Sequence, residues 1–241
     1  MNRLLQSYHR LLLLVTMVAT FGAAAQGFND KVLNRPYADM RRWHLGFSVG
    51  LHTQDFIFTH AGPLDNGEEW YMEQPSFSPG FCVNGLIDFR LSSLFNLRFT
   101  PGMYFGNRDV TMREFNTGEE LRQNVKAAYV VFPFDLKFSG MRLHNSRPYL
   151  TAGVMPAFNV TVKKADYLRT KPMEFFLTAG FGCDFYLPYF KFIPEVKFCF
   201  GLSDVIQHDR PDLQDEPDKI KISRSLKKAM SRMVVFTFYF E

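Results

Sequence analysis

The stretch Met233-Val234-Val235-Phe236-Thr237-Phe238-Tyr239-Phe240-Glu241 constrains the fold more than any other. In an extended chain Val234, Phe236, Phe238 and Phe240 share one face, and Met233, Val235, Thr237, Tyr239 and Glu241 share the other. A strand with four large apolar groups on one face is an aggregation-prone edge unless another strand pairs with it. Closure against the first strand of the same chain removes that edge and makes a barrel. The rest of the sequence then has to supply the other strands.

It supplies seven more segments with period-2 alternation. Residues 44–56 set Leu45, Phe47, Val49 and Leu51 against His44, Gly46, Ser48, Gly50 and His52. Residues 80–91 set Phe81, Val83, Ile87 and Phe89 against Cys82, Asn84, Asp88 and Arg90. The same pattern runs through 95–105, 126–138, 147–160, 175–187 and 190–202. Short turns (Ser92-Ser93-Leu94, 142–146, Pro188-Tyr189) alternate with longer polar stretches at 55–79, 107–124, around Lys163 to Pro172, and 203–232. Within the last of these, 219–230 reads as a short helix. Eight strands with connections sorted long and short are the pattern of an outer-membrane barrel, with short turns and both termini on the periplasmic side.

The N-terminus agrees with that compartment. Arg3, His9 and Arg10 precede an apolar run from Leu11 to Thr20, followed by Ala23-Ala24-Ala25, which predicts a secretory signal peptide over 1–25. A polar lead with Pro36 covers 26–42, and the barrel covers 43–241. Beyond the leader no run approaches the roughly 18 apolar residues of a membrane helix. The 27 phenylalanines suit a lipid-facing wall, and a net charge of +4 is too small and dispersed to point to nucleic acid. Three cysteines without ligand spacing define no disulfide framework.

Alternation leaves open which face is outside, since a soluble lipocalin-type barrel would bury the apolar one. The polar face decides. It carries Gly46, Gly50, Gly102, Gly106, Gly153, Gly180, Gly182 and Gly201, which a water-facing strand has no use for but a narrow lumen does. It also carries Asp88, Asp135, Asp184 and Glu195 with Arg90, Arg98, Lys137, Lys191 and Lys197. Buried charges need partners. The expectation is an eight-stranded antiparallel transmembrane β-barrel whose lumen is packed with ion pairs and has no open pore, closed by the strand bearing Phe236, Phe238 and Phe240.

Several pieces together resemble the PorT family. They are His44-Leu45-Gly46-Phe47-Ser48-Val49-Gly50-Leu51 with Gln54-Asp55-Phe56, then Leu97-Arg98-Phe99-Thr100-Pro101-Gly102-Met103 with Phe105-Gly106. Arg147-Pro148-Tyr149-Leu150, Asp184-Phe185-Tyr186-Leu187-Pro188-Tyr189-Phe190-Lys191-Phe192 and Phe236-Thr237-Phe238-Tyr239-Phe240-Glu241 complete the ordered set. The resemblance spans about residues 35–241. It implies a non-enzymatic component of the type IX secretion system, which exports folded cargo with C-terminal signal domains and supports gliding in motile species. Outer-membrane lipid and other secretion components are the partners it implies. The runner-up readings are a general small outer-membrane barrel with a structural or adhesive role, and a lipid-modifying barrel enzyme.

An enzyme needs a nucleophile or base with an orienting partner. His44 and Ser48 lie about 13 Å apart on an extended strand, too far to hydrogen-bond. They and His52 read as inner-wall polar residues. His60, His144 and His208 fall in loops without ligand spacing, so no metal, cofactor, small-molecule substrate or catalytic residue is expected. Cys82 and Cys199 point inward and Cys183 outward, as free thiols. The loop with Lys219, Lys221, Arg224, Lys227 and Lys228 is either an ordinary solvated loop or a contact for a partner or lipopolysaccharide phosphates. Trp43 suits an interfacial anchor at the periplasmic rim.

Overall fold

The computed structural model describes residues 32–60, 70–73, 79–114, 120–161, 170–206 and 226–241. Contacts divide the chain between Leu33 and Asn34, and the unit from Asn34 to Glu241 is a β-barrel with an N-terminal cap. The leader expected at 1–25 lies outside the described residues.

The strands are β1 (Trp43–His60), β2 (Trp70–Glu73), β3 (Pro79–Arg90), β4 (Phe95–Phe99), β5 (Gly102–Glu114) and β6 (Glu120–Val131). They continue as β7 (Phe134–Ser139), β8 (Ser146–Asn159), β9 (Met173–Tyr186), β10 (Lys191–Gly201) and β11 (Leu226–Phe240). Two pairs of these are halves of one wall strand. Pro101 separates β4 from β5, and Pro133 separates β6 from β7, because proline brings no N–H to the ladder. The register does not slip there. Phe99 faces Phe134 and Gly102 faces Val131, and Thr100 N–H still donates to the Pro133 carbonyl at 3.2 Å.

Counting each notched strand once and setting aside the short β2, which pairs with the far end of β5, eight antiparallel strands close into a ring, β1 meeting β11 with Phe47 opposite Phe240. From Leu45 the paired residues run through Ile87, Phe99, Phe134, Val154, Leu177, Phe200 and Arg232, and the path re-enters β1 at Asp55. The ring therefore closes with a stagger of ten residues, from 45 to 55. Such a stagger obliges the strands to tilt by roughly 35–45°.

The strands run further than their polar composition suggests. β1 reaches His60, β5 reaches Glu114 and β6 starts at Glu120, so much of the expected loops at 55–79 and 107–124 is strand. Ladder pairing from Asn107↔Lys126 to Arg113↔Glu120 outweighs weak strand propensity there. The helix expected at 219–230 is corrected on the same ground. Residues 226–230 belong to β11, because the extended β1 offers them partners at Ile57↔Met230 and Thr59↔Lys228. Residues 219–225 lie outside the described ones.

The apolar face is outside. Phe47, Phe81, Phe181 and Phe236 are 57%, 54%, 52% and 49% exposed, which only a lipid surround makes favourable for a whole wall. Inside, the lumen has two layers. Near the short turns Asp88, Arg98, Asp135, Lys137, Asp184, Glu195 and Lys197 are buried. Towards the long connections the filling is an apolar cluster of Tyr104, Tyr129, Val131, Met155, Ala157, Phe176, Met233 and Val235, with Cys82 and Cys199. Among the described residues the lumen ion pairs gather in the charged layer and at the short-turn rim, while at the other end buried Glu174 accepts from the Tyr129 hydroxyl at 3.0 Å and the Ser231 hydroxyl at 2.8 Å. The apolar layer avoids the desolvation cost that more buried charge would bring.

Residues 34–42 close the short-turn end. A 3₁₀ turn at Ala38–Met40 holds Asp39, which accepts a hydrogen bond from the Tyr186 hydroxyl at 2.6 Å. Asn34 Nδ2 donates to the Tyr186 carbonyl at 3.0 Å, and Arg35 donates to the Glu241 carbonyl at 3.1 Å.

Candidate functional site

The chemistry-bearing residues of this barrel converge in the lower lumen. Alternation sends every second residue inward, and the small residues among them let large charged ones meet at the axis. An added Cβ at Gly182 would collide with the Tyr149 ring, and one at Gly153 with the Phe134 carbonyl and Asp135. Both sites need glycine for close approach.

Arg98, from β4, is the hub and is fully buried. Its Nε donates to Asp88 Oδ2 at 3.2 Å, and its Nη1 donates to Glu195 Oε2 at 2.8 Å and to the Tyr149 hydroxyl at 3.3 Å. The guanidinium carbon lies 5.0 Å from the centres of both the Tyr149 and Tyr239 rings. Glu195 also accepts from the Tyr149 hydroxyl at 2.8 Å and the Tyr239 hydroxyl at 3.1 Å. Lys197 lies 3.3 Å from Glu195 Oε1 and donates to Asp135 Oδ2 at 2.6 Å, while Thr178 donates to the other Asp135 oxygen at 2.6 Å. Lys137 donates to both Asp184 oxygens, at 2.8 and 2.7 Å, and sits 4.2 Å from the Tyr149 ring centre.

Seven of the nine charged residues singled out from sequence are therefore drawn together, and Lys191 lies at the rim with Glu241. Arg90 is not part of either group. Its Nε donates to the Ser92 carbonyl at 3.2 Å in an exposed position at the strand end. Phe236 and Phe238 face outward, and Phe240 stacks on Phe47 with ring centres 5.2 Å apart. Sequence reasoning did not single out Tyr149, Tyr239, Thr178 or Glu241, although inward parity marks all four. Asp39 had no such signal, since the lead shows no period.

At the short-turn rim Glu241 Oε1 lies 2.6 Å from His44 Nδ1 and 2.9 Å from Lys191 Nζ. Burial works against ionising this carboxyl, but the His44 hydrogen bond and the Lys191 ammonium outweigh it and hold Glu241 well below the ordinary glutamate range. Asp39 lies 3.7 Å from Lys191 and Arg147 and 3.8 Å from Arg142. Ser48 accepts from Asn84 at 3.1 Å, and His52 stacks on Tyr104 with ring centres 5.2 Å apart. His44 and Ser48 thus do not pair as base and nucleophile. Among the described residues no group of three His, Cys, Asp or Glu side chains is placed to hold a metal ion.

A closed eight-stranded ring with phenylalanines outside and a filled interior defines an outer-membrane β-barrel. The sequence matches the family described as "Outer membrane protein beta-barrel domain" over residues 24–207, and the chain belongs to it. It is an outer-membrane protein.

Among solved structures the chain is similar to the outer membrane protein OprG from Pseudomonas aeruginosa, at 12% identity, TM-score 0.45, covering 81% of this chain and 92% of that one. It is also similar to the N-terminal β-barrel domain of Pseudomonas aeruginosa OprF, at 12% identity, TM-score 0.37, covering 80% and 96%. The attachment invasion locus protein Ail of Yersinia pestis follows at 12% identity, TM-score 0.20, covering 82% and 97%. These likenesses are too loose to carry an argument. No curated protein matches.

Proposed function

We propose that the protein is a non-conducting, non-enzymatic barrel with a structural or assembly role in the outer membrane. The carrying observation is the doubly filled lumen, charged around Arg98 below and apolar around Met155 and Phe176 above. Transport of a solute through such an interior would require both layers to come apart. In this reading the short turns and both ends of the barrel chain face the periplasm, as is usual for such barrels. Outer-membrane lipid is its permanent partner. An adhesive role is the neighbouring possibility and is tested by the same strain.

A narrower role, as a PorT-like component of type IX secretion, rests on the ordered motif set. The matching segments contribute Arg98, Tyr149, Asp184 and Glu241, and the first two of these touch in the lumen while the other two anchor Lys137 and Lys191. In this role the barrel works with other secretion components on cargo bearing C-terminal signal domains.

Deleting the gene in its own organism, with complementation as control, tests both roles. Build-up of periplasmic cargo retaining its signal domain supports secretion. Unchanged export with weakened adhesion or envelope integrity supports the general barrel and removes the secretion role.

A further inference from the structure

The site that holds Asp39 has more positive charge than one carboxylate can use. The Tyr186 hydroxyl donates to Asp39 Oδ1 at 2.6 Å. Around the same carboxylate stand three cations beyond hydrogen-bond reach, Arg147 and Lys191 at 3.7 Å and Arg142 at 3.8 Å. Arg147 gives Nε to the Gly140 carbonyl at 2.9 Å and Nη2 to the Ser93 carbonyl at 2.5 Å, which leaves Nη1 for Asp39. The Arg142 guanidinium lies 3.6 Å from the Tyr186 ring centre, so the two form one surface. Asp39 also lines a polar pocket with Arg90, Ser92, Asn96, Arg147 and Lys191. The other acids of that pocket, Asp88 and Asp184, are committed to Arg98 and Lys137.

The cap that carries Asp39 is lightly held. Within 34–42 Ala38 alone is buried, while Tyr37 and Met40 are 73% and 66% exposed. Arg35 adopts a left-handed φ of 48°, which a side chain disfavours. The remaining hold is polar, from Asn34 to Asn145 and Tyr186 and from Arg35 to Glu241 and Arg142.

We propose that Tyr186, Arg142, Arg147 and Lys191 form a docking site for an acidic segment of a periplasmic protein, and that Asp39 fills it as a displaceable substitute. The inference rests on the proposed orientation, in which the short turns face the periplasm. Charge complementarity selects the partner. Asp39 makes one close hydrogen bond and leaves three cations at ion-pair distance, whereas a segment with several carboxylates can bring an oxygen to each. The rest of the cap cannot do this, because its other charged side chains, Arg35, Arg41 and Arg42, are cations themselves. Exposed Arg41 and Arg42 instead draw an acidic chain towards this end, and the cluster beneath Asp39 fixes where it binds. Displacing Asp39 also uncovers the pocket beside it, where Arg90 and Asn96 offer further donors. The cap is thus a competitor within the same chain, and it lowers the apparent affinity by the fraction of molecules in which it occupies the site.

The test uses the full-length protein in detergent, with the folding of each variant verified by heat-modifiable gel migration. The probes are a fluorescein-labelled hexa-aspartate peptide and its hexa-asparagine counterpart. Asp39→Ala removes the competitor and is expected to tighten binding of the aspartate peptide by about fivefold or more. Adding Arg147→Gln to that variant should weaken binding again by about fivefold or more, and adding Arg41→Gln with Arg42→Gln should weaken it by less. Saturating peptide should raise amide exchange across 34–42 in the wild type. Equal binding of the asparagine peptide, or an affinity that Asp39→Ala leaves unchanged, overturns the site. A loss with the Arg41 and Arg42 changes as large as with Arg147→Gln means diffuse attraction to the rim and overturns it too. So does cap exchange that bound peptide does not move, since the peptide then sits elsewhere. A separate arm uses Tyr189→Cys in a Cys183→Ser background, because Tyr189 is 92% exposed in the turn after β9. A membrane-impermeant maleimide is applied before and after the outer membrane is permeabilised. Labelling that needs permeabilisation, without peptide binding, removes the site and leaves the orientation standing. Labelling of intact cells removes the orientation and the periplasmic partner with it.

Discussion

Arg98 and Glu195 are 97 positions apart in the chain, yet Nη1 and Oε2 meet at 2.8 Å in the middle of the lumen, with neither side chain exposed. Breaking such a pair by removing one partner leaves an uncompensated buried charge, which costs about 3–5 kcal/mol. Arg98→Met is therefore expected to lower the urea midpoint of folding strongly, read from gel migration of the unheated protein. The double variant Arg98→Met with Glu195→Gln should recover part of the loss. A double variant no more stable than Arg98→Met would mean that the two residues are not energetically coupled.

The glycines beside this network make a separate claim. A side chain at Gly182 would run into the Tyr149 ring, which Arg98 and Glu195 both contact. Gly182→Ala should destabilise by about 1–3 kcal/mol through overpacking, and Gly182→Val by more. Gly85→Ala is the control, because its added Cβ meets nothing closer than 3.8 Å. Equal urea midpoints for Gly182→Ala and Gly85→Ala would remove the packing argument.

Two layers of filling imply redundancy against conduction. The wild-type protein in a planar bilayer is expected to show no conductance steps. Tyr239→Ala, which thins only the charged layer, should stay silent because the apolar layer around Met155, Phe176 and Val235 remains. Stepwise currents from Tyr239→Ala would show that the apolar layer does not seal.

Acid should loosen the rim latch in a defined direction. The folded-state acidity of Glu241 is stronger than that of a free glutamate, whose reference value is 4.5. Its contribution is thus fully present above about pH 4.5 and is lost as pH falls below it towards the folded-state value. The wild-type unfolding midpoint should drop across that acid range. Glu241→Gln should be less stable at pH 7 and converge on wild type in acid. Parallel pH curves for the two proteins would show that Glu241 is not the linked group.

Strand number and closure were readable in advance from alternation, as in Phe236, Phe238 and Phe240, and the outward face from the glycines and charges on the opposite side, as at Gly153, Gly182, Asp135 and Lys197. Parity also placed Asp135, Lys137, Glu195 and Lys197 inside. Their pairings were not readable, since contact across a lumen depends on the register of every strand between, and the ten-residue stagger emerges only from the closed ring. Height along the axis was equally hidden. Tyr104, Tyr129 and Met155 share the inward face with the charges but sit in a different layer. The upper strands were missed because composition reports loop-like polarity, while ladder partners decide the structure. Asp39 lies in a segment with no period at all.

That segment supports the last prediction. Asp39 is the acceptor for the Tyr186 hydroxyl and faces Arg142, Arg147 and Lys191, while its own side chain is one-quarter exposed. The cations around it have other partners: Arg147 donates to the Gly140 carbonyl at 2.9 Å, and Lys191 meets Glu241. Loss of the Asp39 charge should therefore free the cap without opening the barrel. Asn in its place keeps an acceptor for Tyr186, so Asp39→Asn tests the charge and Asp39→Ala tests the hydrogen bond as well. Amide exchange across 34–42 should rise by about fivefold in Asp39→Asn, the equivalent of about 1 kcal/mol, and further in Asp39→Ala. Exchange in β3 and β5, which carry none of the residues described in contact with Asp39, should not change. A rise spread equally over cap and barrel would mean that the cap and the ring unfold as one unit, with Asp39 supporting both.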